Sequence, residues 1–159
     1  MSEAFVDFNE VWLAYNEELL ERNDFAIEDI TLTTGEGEFI AIVGPSGCGK
    51  STFMKLATGL KMPSRGTVRI GGQQVTGPLK IVGMAFQAPT LLPWRTTIDN
   101  VLLPLEIVEP YRSQFKKRKE EYRERARRLL ATVGLQGYED KFPWQLSGGM
   151  QQRASICRA

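Results

Sequence analysis

Apolar positions along this chain fall into two regimes. Up to about residue 86 they come in short alternating or continuous runs bounded by turn residues, and from Thr96 they recur at helical spacing. Val11, Leu13 and Tyr15 alternate with their neighbours and predict a strand. The polar stretch 16–24 predicts a hairpin loop. Phe25, Ile27, Ile30 and Leu32 predict a second strand, and Thr34-Gly35-Glu36-Gly37 a turn. Residues 39–43 form a continuous, β-branched apolar run, the pattern of a strand buried on both faces. A glycine-rich stretch follows, then a helix expected over about 50–60. Residues 67–70 and 81–86 predict further strands, the first closed by the Gly71-Gly72 turn.

Beyond residue 95 the pattern is helical. Thr96 with Asp99 three residues on has the form of a capping box and opens a helix over 98–108. Phe115, Tyr122, Ala126, Leu129 and Val133 fall on one stripe, predicting a helix over 114–133 that Gly134 stops. A last helix is expected over 148–159. The fold class this implies is α/β: a core over residues 1–95, then a small helical subdomain over 96–159.

Composition narrows the chemistry. The 159 residues are 42% hydrophobic and 25% charged, enough for a core in one domain or a large piece of one. A net charge of +1 gives no global field for nucleic acid or anionic lipid, and no apolar run approaches the ~20 residues of a membrane span. Residues 1–8 lack the basic start of a signal peptide. Cys48 and Cys157 lie far apart and read as free thiols of a reducing compartment. The absence of histidine excludes a histidine-based triad. Residues 116–128 hold eight Lys/Arg and three Glu; they read as a solvated helix face, with contact to anionic lipid as the other reading.

One segment carries specific chemistry. Gly44-Pro45-Ser46-Gly47-Cys48-Gly49-Lys50-Ser51-Thr52 fits the phosphate-binding loop, GxxxxGK[ST], between an expected strand and an expected helix. The glycines let successive N–H groups turn inward toward phosphate oxygens, and the helix N-terminus adds positive charge. Lys50 is placed to reach β- and γ-phosphates, Ser51 to offer a hydroxyl to Mg²⁺, and Thr52 to add a hydroxyl near the α-phosphate. Cys48 is a spacer by this reading, with a redox-sensitive thiol as the alternative.

Leu146-Ser147-Gly148-Gly149-Met150-Gln151-Gln152-Arg153 is a second glycine-bearing segment at a helix start. Alone it is only a helix N-cap. Beside the phosphate loop it resembles the signature of ATP-binding cassette (ABC) ATPases, with Met150 where glutamine is common. That resemblance covers nearly the whole chain. It implies an α/β P-loop core with a parallel sheet and an antiparallel β edge, and ATP and Mg²⁺ as ligands. It also implies a head-to-tail dimer, in which Ser147, Gly148, Gly149 and Met150 face nucleotide held by a second ATPase subunit. Gln87 matches the glutamine that contacts Mg²⁺ and the attacking water, which makes Lys50, Gln87 and Ser147 the implied catalytic set. Tyr15 matches the aromatic that stacks on adenine, although a core strand residue would look the same. Leu91-Leu92-Pro93-Trp94-Arg95 would suit a groove receiving a helix from transmembrane permease subunits, although a core segment would look the same. Together the motifs resemble the nitrate/sulfonate/taurine and bicarbonate import group. That resemblance implies a cytoplasmic position on the inner face of the membrane, an indirect link to a substrate-binding protein, and no nucleic-acid partner.

In this family the signature helix leads to a strand ending in Asp-Glu and then to a histidine. Neither follows Arg153 here, so the sequence reads as a C-terminally truncated ABC ATPase. The intact protein is expected to be a transport-coupled ATPase. The chain alone is expected to be inactive, with a non-catalytic nucleotide-binding fragment or interaction module as the alternative. An unpaired sheet edge or exposed apolar face is expected beside the phosphate loop.

Overall fold

The computed structural model describes residues 4–159. They form two compact units, one ending at Val82 and one beginning at Gly83. This boundary falls earlier in the chain than the change from strand to helical periodicity.

The first unit is built on strands β1 (Val6–Leu13), β2 (Ile27–Thr34), β3 (Arg65–Ile70) and β4 (Gln73–Gln74), in the order β2-β1-β3-β4. All their pairings are antiparallel. The β1–β2 connection contains a short helix, α1 (Glu17–Glu21), capped by the Asn16 side chain. Strand β1 buries Phe8, Val11 and Leu13, positions that simple alternation cannot place on one face. A bulge resolves this: the pairing shifts register between Phe8 and Val11, and Glu10 takes φ 48°. Opposite the bulge, Gly66 has φ +80°, and a Cβ there would collide with the Glu10 carbonyl. The bend in β1 therefore requires glycine on β3.

Helix α2 (Lys50–Ala57) packs on this sheet. Phe53 stacks on Phe8 with centroids 4.6 Å apart, and Leu56 is fully buried among Val11, Leu13, Ile27 and Val68. Burial of side chains of this size stabilises by about 1.5–3 kcal/mol each, so the sheet fixes the position of α2.

Two expected strands do not form. Residues 39–43 and 81–86 form no strand among the described residues, and no parallel sheet is assembled. Phe39 is 92% exposed and Val43 91%, with Ile40, Ile42 and Ile81 also exposed. The apolar run predicts a strand buried on both faces, and burial of that kind needs flanking strands and covering helices. None covers these residues here, so the exposed apolar face expected beside the phosphate loop is present.

The second unit is helical: α3 (Thr97–Ile107), α4 (Tyr111–Thr132) and α5 (Gly148–Arg158), with a 3₁₀ turn at Pro143–Gln145. Its core joins Ile98, Val101 and Leu102 of α3 to Tyr122, Ala126 and Leu130 of α4, with Leu135 and Ala154. Thr96 caps α3 as the sequence predicts: its hydroxyl donates to Asp99 Oδ2 at 2.8 Å and accepts the Asp99 N–H at 3.3 Å. Gly134 follows α4 with φ +71°, the left-handed stop its position implies.

The residue that organises this unit carries no sequence signal. Asn100 is fully buried on α3. Its Oδ1 accepts the Leu92 N–H at 2.7 Å, and its Nδ2 donates to the carbonyls of Leu92, Arg95 and Thr96 at 3.0–3.2 Å. One side chain thus holds the 92–96 loop against the helix. Asn100→Ala leaves these buried groups without partners, at a cost of about 1–3 kcal/mol for each group that water cannot reach. Urea unfolding followed by circular dichroism should show the helical unit losing about 3 kcal/mol. An unchanged midpoint would exclude this role.

Candidate functional site

The phosphate loop runs from Gly44 to Gly49 and ends in α2. Gly47 and Gly49 have φ +83° and +91°, backbone that disfavours any side chain. Gly49 is constrained twice over. A Cβ on it would lie 2.9 Å from both the Ala26 carbonyl oxygen and Ile27 Cδ1, so the loop's last residue rests directly on the entry to β2. A Cβ on Gly44 would lie 2.7 Å from Cys48 Sγ. Gly49 also caps α2 without any side-chain hydrogen bond, so the leading N–H groups of that helix are not consumed by a cap. Such an uncapped N-terminus after a glycine loop is an anion site.

Lys50 arches back over the loop. Its ammonium donates to the carbonyls of Gly44 at 2.8 Å and Pro45 at 2.6 Å, with Cys48 Sγ at 3.6 Å. The charge is therefore held at the loop mouth, on carbonyl partners that a phosphate can replace. Ser46 and Ser51 are exposed. The Ser51 hydroxyl is a hard oxygen donor of the kind Mg²⁺ prefers, so the residues present fit a magnesium nucleotide. Thr52, by contrast, is buried, and its hydroxyl shares a 2.6 Å hydrogen bond with the Tyr15 hydroxyl.

That bond brings Tyr15 to the loop. The ring is 47% exposed, so it is not the core strand residue that its alternation also allowed. Lys61 Nζ sits 5.5 Å from its centroid. The tie between Tyr15 and Thr52 has no sequence signature, because it depends on β1 ending beside α2.

In the helical unit, Ser147 is the N-cap of α5, and its Oγ accepts the Met150 N–H at 3.3 Å. Gly148 and Gly149 form the first turn. A Cβ on Gly148 would meet nothing within 4 Å, and one on Gly149 only the tip of Arg153 at 3.9 Å. Packing inside this unit thus asks for neither glycine.

Gln87 and the signature lie about 60 residues apart in the chain. The structure joins them through Gln152, whose Nε2 donates to the Phe86 carbonyl at 2.9 Å. Arg158 adds a second tie, donating to the carbonyl and hydroxyl of Thr90 at 2.6 Å each. The segment around Gln87 is therefore strapped to α5 at two points. Gln151 completes the helix start by donating to the carbonyls of Pro143 and Leu146 at 2.9 and 3.2 Å. Of the two thiols, Cys48 is exposed, while burial pushes the Cys157 thiol above its ordinary pKa. In the 91–95 segment, Trp94 is exposed and Leu91 packs on the core.

A glycine-lined anion loop at the head of α2, followed by a Ser-Gly-Gly helix start, describes a nucleotide-binding cassette. The chain belongs to the ABC transporter family, whose model matches residues 27–159. It is 42% identical over 133 residues to the bicarbonate transport ATP-binding protein CmpD of Synechocystis sp., covering 84% of this chain and 45% of that protein. It is 40% identical over 134 residues to the taurine import ATP-binding protein TauB of Escherichia coli, covering 84% of this chain and 50% of that one. Among solved structures, the dimeric post-hydrolysis state of the ATP-binding cassette MJ0796, bound to ADP and Pi, matches with TM-score 0.76 and 32% identity. That match covers 96% of this chain and 68% of that one. The fold is thus that of a P-loop ABC cassette, although its parallel sheet is not assembled here. The chain spans about half the length of the curated relatives it matches.

The two glycine sites should respond differently to a methyl group. Gly49→Ala forces a left-handed φ and a clash with Ala26 and Ile27, and should cost at least about 1–2 kcal/mol. Gly148→Ala enters open space at a helix start and should stay within about 0.5 kcal/mol of the parent or stabilise it. Thermal melts of both variants check this, and equal losses would contradict it.

Proposed function

We propose that the intact protein is the ATP-binding subunit of an ABC importer, coupling ATP binding and hydrolysis to uptake of a small solute. The observation that carries this reading is the glycine loop with Lys50 poised over it at the uncapped start of α2. Lys50 would exchange its carbonyl partners for β- and γ-phosphate oxygens. Tyr15, exposed beside the loop, would stack on the base. Ser51 and Gln87 would hold Mg²⁺ against the phosphates, where the cation supplies charge neutralisation. Ser147, Gly148, Gly149 and Met150 would close over nucleotide bound by a second copy. This reading is supported by the open space at Gly148 and by the dimeric state of the solved relative.

The named solutes of relatives, bicarbonate and taurine, support a small anionic or zwitterionic cargo delivered through transmembrane permease subunits and a substrate-binding protein. No helix of the described residues is long and apolar enough to cross a membrane. A peripheral position on the cytoplasmic face, held by the permease, follows from the importer reading.

A second reading is a nucleotide-binding module without turnover. The uncovered 39–43 segment favours it, because that segment leads directly into the phosphate loop and no neighbouring strand braces it. Binding and turnover separate the two readings. Contacts that hold ground and transition states alike lower the energy of the complex without lowering the barrier.

Lys50→Ala removes a charge-assisted contact worth about 1.5–3 kcal/mol, so Mg-ATP affinity should fall by about 10–150-fold in calorimetric titration. Equal affinities would refute the role of Lys50. In a phosphate-release assay the 159-residue chain should turn over no faster than its Lys50→Ala variant. Lys50-dependent release on the order of 1 s⁻¹ would instead show the chain to be a competent ATPase.

A further inference from the structure

We propose that the α3–α4 turn and the first turns of α4 form a contact surface for anionic lipid headgroups. This goes beyond nucleotide binding and does not depend on it. The charge on α4 is strongly polarised. Residues 107–119 contain five Lys/Arg and one Glu, whereas residues 120–140 contain four Lys/Arg and five Asp/Glu. In the second stretch the cations are largely neutralised: Arg123 pairs with Asp99 at 3.1 Å, Arg127 with Glu120 at 3.0 Å, and Arg128 with Glu124 at 3.4 Å. In the first stretch only Arg118 is engaged. It forks onto Glu121 and donates to Gln114 at 3.1 Å, and this pairing raises the guanidinium pKa and lowers that of the carboxyl. Among the described residues, Arg112, Lys116, Lys117 and Lys119 are exposed and make no ion pair within 4 Å. The one acid of the stretch, Glu109, is exposed and accepts the Ser113 N–H at 3.3 Å.

Helix electrostatics act on Arg112, the one cation in the first turn of α4, where the dipole is already positive. That turn carries no acid, and Pro110 offers no side-chain cap. Lys116, Lys117 and Lys119 lie further along, on either side of a kink at Arg118. An external anionic surface is the complement these unpaired cations lack. Apolar groups beside the cations select the kind of surface. Ile107 is 60% exposed and Tyr111 42%, flanking the basic turn. A nucleic-acid backbone or an acidic peptide rewards the cations and leaves Ile107 in water. A bilayer interface takes both, with tyrosine at headgroup depth and the aliphatic side chain just beneath.

Each Lys/Arg near an anionic leaflet contributes about 1 kcal/mol, a factor of about five in partitioning. The experiment is sedimentation of the 159-residue chain with phosphatidylcholine vesicles, with and without phosphatidylglycerol, at low and high salt. Binding should require phosphatidylglycerol and weaken as salt shortens the screening length. The combined Lys116→Gln, Lys117→Gln, Lys119→Gln variant should lose on the order of 100-fold in partitioning. Arg22→Gln, on α1 of the other unit, should match the parent. Circular dichroism of each variant checks that the helices are intact. Equal binding to neutral vesicles would mark exposed Phe39 and Val43 as the contact and overturn the proposal. So would triple-variant binding equal to the parent's, or displacement from anionic vesicles by duplex DNA.

Discussion

The seating of α2 on the antiparallel sheet is the constraint on which the candidate site depends. Phe53 against Phe8 and Leu56 in the core fix the helix, and Gly49, tight against Ala26 and Ile27, fixes where the loop ends. Apolar burial sets the position of α2, and the glycine allows the backbone to come that close. The direction of the α2 N–H groups, the reach of Lys50 and the Tyr15–Thr52 bond all follow from that seating. The bulge at Glu10 and Gly66 serves the same end, because without it Phe8, Val11 and Leu13 would not share the face that receives the helix.

The helical unit joins its apolar core to a set of buried polar bonds, although the Tyr122 hydroxyl and Ser155 Oγ are buried without a partner. Asn100 answers four backbone groups of the 92–96 loop, and Thr97, also fully buried on α3, donates to the Lys141 carbonyl at 2.8 Å. Gln152 and Arg158 then bind the Gln87 segment to α5. In a unit of this size such bonds confer uniqueness, since leaving any one unmade costs more than making it gains. They also tie α5 to the segment on either side of Gln87 through two specific side chains.

The uncovered apolar run before the phosphate loop sets the two units apart in how far their cores are closed. In the helical unit the buried residues of α3, α4 and α5 cover one another. In the first unit the sheet and α2 close one core, while residues 39–43 present Phe39 and Val43 to solvent. Family membership rests on the match over residues 27–159, which include that segment, and the half-length match to the relatives stands beside it as a separate fact.

The sequence by itself determined the features that are local in the chain: the phosphate loop, the Thr96 cap, the Ser147 helix start, the Gly134 stop and the family. Each of the local features is set by a few neighbouring residues, so spacing carries the information, and the family follows from two of them read together. The tertiary structure decided everything that depends on who the neighbours are. Residues 39–43 have the composition of a buried strand and are exposed, because burial belongs to the assembly and not to the segment. Asn100 looks like any polar helix residue until the 92–96 loop folds over it. Tyr15 becomes a loop neighbour, and Gln152 a strap for Phe86, only through contacts 37 and 66 residues apart in the chain. Such contacts leave no periodic trace in the sequence, because they form between elements whose approach is fixed by the packing of the rest.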